Sequence, residues 1–158
     1  MIDDGVSDDG VAALLRSAKT FAVVGASANI ARPVNGVMEF LIARGYDVHP
    51  INPGLAGQML LGRKVYATLA DVPAPVDIVD IFRNSDAAGA VVDEAIANKN
   101  RLGLNAVWMQ LDVINEAAAG RARAAGLIAV MDRCPKIEIS RLRIGSGRTV
   151  ARSRRPRR

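Results

Sequence analysis

One cysteine, one histidine and one tryptophan are all that 158 residues hold of those three types, and aromatic residues together make up 4 %. A lone Cys134 cannot close an internal disulfide, which fits a reducing compartment. With His49 as the single histidine, neither a multi-histidine metal site nor a cysteine-rich one can be assembled. No apolar run approaches the roughly 18 residues that a membrane span needs. The opening MIDDGVSDDG is acidic and lacks the basic and apolar regions of a signal peptide. These absences lead us to expect a cytoplasmic protein with no membrane partner.

What the chain has is an apolar half, 50 % hydrophobic, made of Val, Ile, Leu and Ala. Small and branched side chains suit helices packed closely on a parallel sheet. The formal charge of +5 is uneven: eight arginines and no acid lie from Arg141 to Arg158, so residues 1–140 carry −3. We expect a mildly acidic folded domain over residues 1–142 and an Arg-rich disordered tail over 143–158. The tail lacks aromatic interleaving, so at most weak nucleic-acid contact is expected of it.

Residues 8–18 (DDGVAALLRSA) read as a short helix with acids at its start. FAVVG (21–25), YDVHPIN (46–52), VDIVDIF (76–82), NAVWMQ (105–110) and LIAVMD (127–132) read as strands, and KVYATL as a minor strand or turn. Helices are expected over 34–44, 85–98 and 114–125, with a closing one over 135–142. This alternation predicts a Rossmann-like three-layer αβα fold with a mostly parallel sheet of about five strands.

In such a sheet, ligands gather beyond the carboxyl ends of the strands, where the strand order reverses. The loop after the first strand is GASANIARP. Gly25 and Ala26 have little side chain, so their amides could approach an anion. Ser27 and Asn29 add side-chain donors, Arg32 a fixed charge, and Pro33 suits a helix's first turn. The same loop reads also as an ordinary strand-to-helix turn with an asparagine cap. A dinucleotide fingerprint is missing: Ser27 and Ile30 stand where glycines would be, and the second strand ends HPINP without an acid. No P-loop sequence occurs.

The loop GASANIARP, the strand ends INP, DIVDIFR and VWMQ, and the segment MDRCPKIEI, in that order, resemble a family. They are similar to the small stand-alone CoA-binding proteins, whose fold is that of the CoA-binding amino-terminal domain of succinyl-CoA synthetase α subunits. The resemblance runs from about Lys19 to Leu142. It implies coenzyme A or an acyl-CoA as the ligand. Gly25, Ser27, Asn29 and Arg32 match the phosphate-binding loop, and Asn52 and Pro53 the turn bordering the adenine. Phe82 and Arg83 match the motif lining the nucleotide cleft, and Gln110 the polar end of the fourth strand. Asp112 departs from the family's usual glycine, and NKNRLGLN (98–105) is longer than usual, which predicts a distorted turn there.

Other readings stay open at individual residues. Arg83 closes a buried strand and needs a partner, which a phosphate, Asp80 or Asp86 would supply. Gln110 either meets the ligand or caps the next helix. Cys134, beside Arg133 and Lys136, reads as a packed residue or as a redox thiol of lowered pKa. His49 and Trp108 read as structural, and Glu138 as the partner of a neighbouring base. No catalytic residue set can be assembled, so a non-catalytic carrier, sensor or accessory is expected rather than an enzyme. The alternatives are a small dinucleotide-dependent oxidoreductase and an interaction module with a nucleic-acid-binding tail. The protein partners this reading admits are a second copy and an acyl-CoA enzyme.

Overall fold

The structure, a computed structural model, describes residues 3–145. The expected disordered tail falls almost wholly outside these residues. In chain order the elements are α1 (Asp8–Ser17), β1 (Thr20–Val24), α2 (Pro33–Ala43), β2 (Asp47–Ile51), β3 (Met59–Leu60), β4 (Arg63–Lys64) and β5 (Ile78–Ile81). Then follow α3 (Ser85–Ala97), α4 (Lys99–Leu102), β6 (Ala106–Met109), α5 (Glu116–Ala124), β7 (Ile128–Val130) and α6 (Pro135–Arg141). Five strands form a parallel sheet in the order β2-β1-β5-β6-β7, while β3 and β4 pair as a small antiparallel hairpin.

Side-chain alternation sorts the core into two layers. Val24, Val79, Ile81, Val107 and Met109 face α3 and α5, packing on Ala88, Val92, Ala118 and Ala122. Phe21, Val23, Ile78 and Trp108 face the opposite way, onto Leu15 of α1, Met38 and Leu41 of α2, and Ile139 of α6. Because both faces are covered, β1 and β5 are buried along their whole length and read as continuous apolar runs. Trp108 is core, as expected, and donates its indole N–H to the Arg133 carbonyl at 2.9 Å.

Side-chain oxygens cap the starts of α1, α3 and α5. Ser7 accepts from the Gly10 amide, Asn84 from Ala87 and Asn115 from Ala118, at 2.8–3.0 Å. Residues 98–105 form no distorted turn. They make the short helix α4, ended by Gly103, whose amide donates to Lys99 O at 2.9 Å. The core reaches Ile144, which is 3 % exposed and accepts a hydrogen bond from Arg44.

Candidate ligand-binding cleft

The strand order reverses between β1 and β5: the chain leaves β1 for β2 on one side and returns to β5 on the other. The crevice outside that switch point is where the candidate residues converge. Gly25 ends β1 with φ +98°, and a Cβ placed on it would lie 2.3 Å from the Phe82 carbonyl oxygen. Only glycine lets these two strand ends approach so closely.

Two adjoining clefts share Gly25, Arg32 and Phe82. The larger, about 540 Å³, adds Ala26, Ser27, Asn52, Arg83 and Asn84. The smaller, about 360 Å³, adds Pro33 and Val34 from the start of α2, and Gln110, Leu111 and Asp112 after β6. A wider depression of about 740 Å³ lies along the edge strand β7 and the N-terminal segment. Its Arg123 is already engaged, donating to the Asp4 carbonyl at 2.9 Å, so it offers less to an anion.

Within the first loop the amides divide in two. Those of Gly25 and Ala26 donate to the Ile51 carbonyl, at 3.1 and 3.2 Å, and are not aimed at a ligand as their small side chains suggest. The amides of Ser27, Ala28 and Ile30 have no acceptor among the described residues. Asn29 lines neither cleft. Its Oδ1 accepts from Ala31 and its carbonyl from Asn35 and Arg32, so it shapes the loop. The Ser27 hydroxyl accepts from the Asn29 amide and keeps its own proton free to donate. Asn52 clamps the loop to β2: its Nδ2 donates to Ala26 O at 2.7 Å and its Oδ1 accepts from Gly54. Pro53 opens the 3₁₀ turn after Asn52 and is exposed, outside both linings.

Arg32 and Arg83 are exposed, and neither forms an ion pair among the described residues. Arg83 therefore does not close a buried strand, nor does Asp80 or Asp86 neutralise it. It stands one residue past Phe82, at the mouth. Asp112 adopts φ +68°, which accounts for a glycine being usual there. Its amide donates to the Asp132 carboxylate at 2.8 Å.

Cys134 is 5 % exposed and packs in the layer of α1, α2 and α6, outside both linings. Its basic neighbours are occupied elsewhere. Arg133 pairs with Asp4 at 2.7 Å and with Glu138 at 3.4 Å, and Lys136 Nζ sits 5.8 Å from the Phe40 ring centre. Glu138 thus finds basic partners as expected, Arg141 among them at 2.9 Å. His49 lies on the edge strand β2 against Tyr66, with ring centres 5.7 Å apart, and burial pushes its pKa down.

Sequence reasoning singled out neither of two lining residues, Asn84 and Leu111. Asn84 could have been found as the cap residue after Arg83. Leu111, 46 % exposed beside the cleft, carries no pattern of its own. Asp80, read from the sequence as a possible partner of Arg83, is fully buried in β5; its carboxyl oxygens make no well-formed hydrogen bond among the described residues, and burial lifts its pKa well above the usual carboxylate range, the Ile81 amide opposing this in part.

Comparison with known proteins agrees with this architecture. A hypothetical protein from Pyrococcus horikoshii is 37 % identical, with a TM-score of 0.80, over 88 % of this chain and 94 % of its own. The uncharacterized protein YneT of Bacillus subtilis is 30 % identical over 124 residues, 78 % of this chain and 87 % of that protein. An acetyl-coenzyme A synthetase of Ca. Korarchaeum cryptofilum matches at 26 % identity and a TM-score of 0.61, over 73 % of this chain but 26 % of its own. The family model described as a CoA binding domain matches residues 19–140, which contain both clefts, and the chain belongs to that family.

Proposed function

We propose that this chain binds coenzyme A or an acyl-CoA, with the phosphates in the first βα loop, and acts as a non-catalytic carrier, sensor or accessory. The observation that carries this reading is the pair of guanidinium groups without ionic partners among the described residues, Arg32 and Arg83, on one cleft at the sheet's switch point. Beside them the Ser27, Ala28 and Ile30 amides lack acceptors. Guanidinium groups and main-chain amides together suit a diphosphate. Family membership and the likeness to a protein named for acetyl-coenzyme A support the same ligand class.

The non-catalytic part of the proposal rests on the linings, which bring no nucleophile and base together. We assign ligand binding to residues 1–142, with the Arg-rich tail outside the site. A thermal-shift panel of coenzyme A, acetyl-CoA, NAD and NADP on the full chain tests the reading. Coenzyme A at 100 times its dissociation constant should add about 2.7 kcal/mol of stability. Arg32→Ala and Arg83→Ala should each weaken it at least about tenfold, the range for lost charge-assisted hydrogen bonds. Stabilisation by NAD but not by coenzyme A would favour the oxidoreductase alternative instead.

A further inference from the structure

Four of the described residues other than glycine adopt a positive φ: Leu61, Asp112, Asp132 and Arg143. Such backbone is uncommon for a residue with a side chain, and it persists where the surroundings hold it. Leu61 lies in the β3–β4 turn and Arg143 just after α6, where the chain reverses or a helix stops. Asp112, at +68°, and Asp132, at +57°, instead follow β6 and β7, and their two turns hold each other. The Asp112 amide donates to the Asp132 carboxylate at 2.8 Å, and the Asp132 amide donates to the Val113 carbonyl at 3.3 Å.

The Asp112 turn forms one wall of the smaller cleft. The Val113 amide closes it on the Gln110 carbonyl at 2.9 Å, which makes Leu111 and Asp112 its two central residues. Gln110, Leu111 and Asp112 all line that cleft. A positive φ at the second central position of such a turn is the usual place of glycine. With an aspartate there, the turn depends on bonds from outside it. Ser85 of α3 supplies two: its hydroxyl donates to the Asp112 carbonyl at 3.3 Å and accepts from the Ile114 amide at 3.0 Å. Asp132 supplies the shortest, a charge-assisted bond to the residue whose backbone is strained. Asp132 itself lines neither cleft, so its carboxylate acts on the wall through Asp112.

We propose that Asp132 is a positioning residue of the coenzyme A site: by holding Asp112 in the left-handed conformation, it sets the Leu111–Asp112 wall against which the ligand's arm lies. This rests on the coenzyme A reading, in which the diphosphate takes the larger cleft, lined by both Arg32 and Arg83, and the arm extends into the smaller one.

Titration calorimetry on the full chain tests it with coenzyme A and with adenosine 3′-phosphate 5′-diphosphate, which keeps the phosphates and lacks the arm. The unaltered protein should bind coenzyme A more tightly than the nucleotide. Asp132→Ala should weaken coenzyme A about tenfold, the value of one charge-assisted hydrogen bond, and leave the nucleotide unchanged. Asp132→Asn, which keeps a carbonyl acceptor, should retain coenzyme A binding. Asp112→Gly takes up the turn without help, so adding Asp132→Ala to it should cost coenzyme A binding nothing further. A purely structural role would move both ligands together. That result, native coenzyme A affinity in Asp132→Ala, or the same loss in the Asp112→Gly background overturns the inference. Should Asp132→Ala not fold, Ser85→Ala, which releases the same turn from its other side, decides by the same two ligands. Equal native affinity for both ligands also overturns it, whereas native binding of neither refutes the coenzyme A reading itself.

Discussion

Gly25 and Asp80 sit within a few residues of each other across the β1–β5 junction, and each departs from what packing alone would choose. Gly25→Ala would press a methyl group onto the Phe82 carbonyl at a positive φ. A cost of about 3 kcal/mol follows from the left-handed backbone and the overlap together, and a denaturant melt should show it. Asp80 gives a pH signature. Its folded pKa is raised above the ordinary 3.8, so the stability it allows is fully present below that value and is lost as pH rises through the folded pKa. Asp80→Asn lacks this loss, so its advantage in melting temperature over the native chain should grow from pH 4 to pH 7. An advantage that stays constant would show that folding does not raise the pKa of this carboxyl. Sequence reading reached Gly25 through its loop, but Asp80 only as a possible partner of Arg83, because the type of a residue in DIVDIF does not say which face of a doubly covered strand it meets. It noted Asp112 as a departure from glycine, and the backbone at φ +68° supplies the reason.

At the scale of elements, the N-terminal segment is fastened to β7 and α6 by charge as much as by apolar contact. Asp4 accepts from the Arg133 guanidinium at 2.7 Å and from the Met131 amide at 3.0 Å, and Arg133 also donates to Val6 O. Arg133 and Asp4 are both buried, so Asp4→Ala leaves the guanidinium with Glu138, at 3.4 Å, as its remaining ionic partner. We expect a loss of about 3 kcal/mol, roughly a 10 °C fall in melting temperature for a domain of this size, measurable by calorimetry. A change near zero would mean that water reaches Arg133. Nothing local announces this clamp, since its partners lie 129 residues apart in the chain. The main strands, by contrast, carry apolar runs, and α1, α3 and α5 carry serine or asparagine caps, that fix them locally. The β3–β4 hairpin has only two residues a strand, too few for a periodic signal.

For the whole molecule, function depends on strand order, which alternation of elements does not determine. Strand and helix runs establish a parallel αβα sandwich, but only the arrangement β2-β1-β5-β6-β7 brings the first loop, Arg83 and Gln110 to one crevice. Those residues, far apart in sequence, were legible through the resemblance of several strand-end motifs taken together. Which amides are free, and which side of the crevice is apolar, depends on backbone geometry that residue types do not encode. The central claim, that Arg32, Arg83 and the amides of Ser27, Ala28 and Ile30 hold a diphosphate, is met most directly by a crystal structure of the full chain with coenzyme A. The account predicts the diphosphate in the larger cleft between the two guanidinium groups, with the thiol arm running past Phe82 toward Gln110. A diphosphate bound along β7, or anywhere out of reach of both arginines, would contradict it.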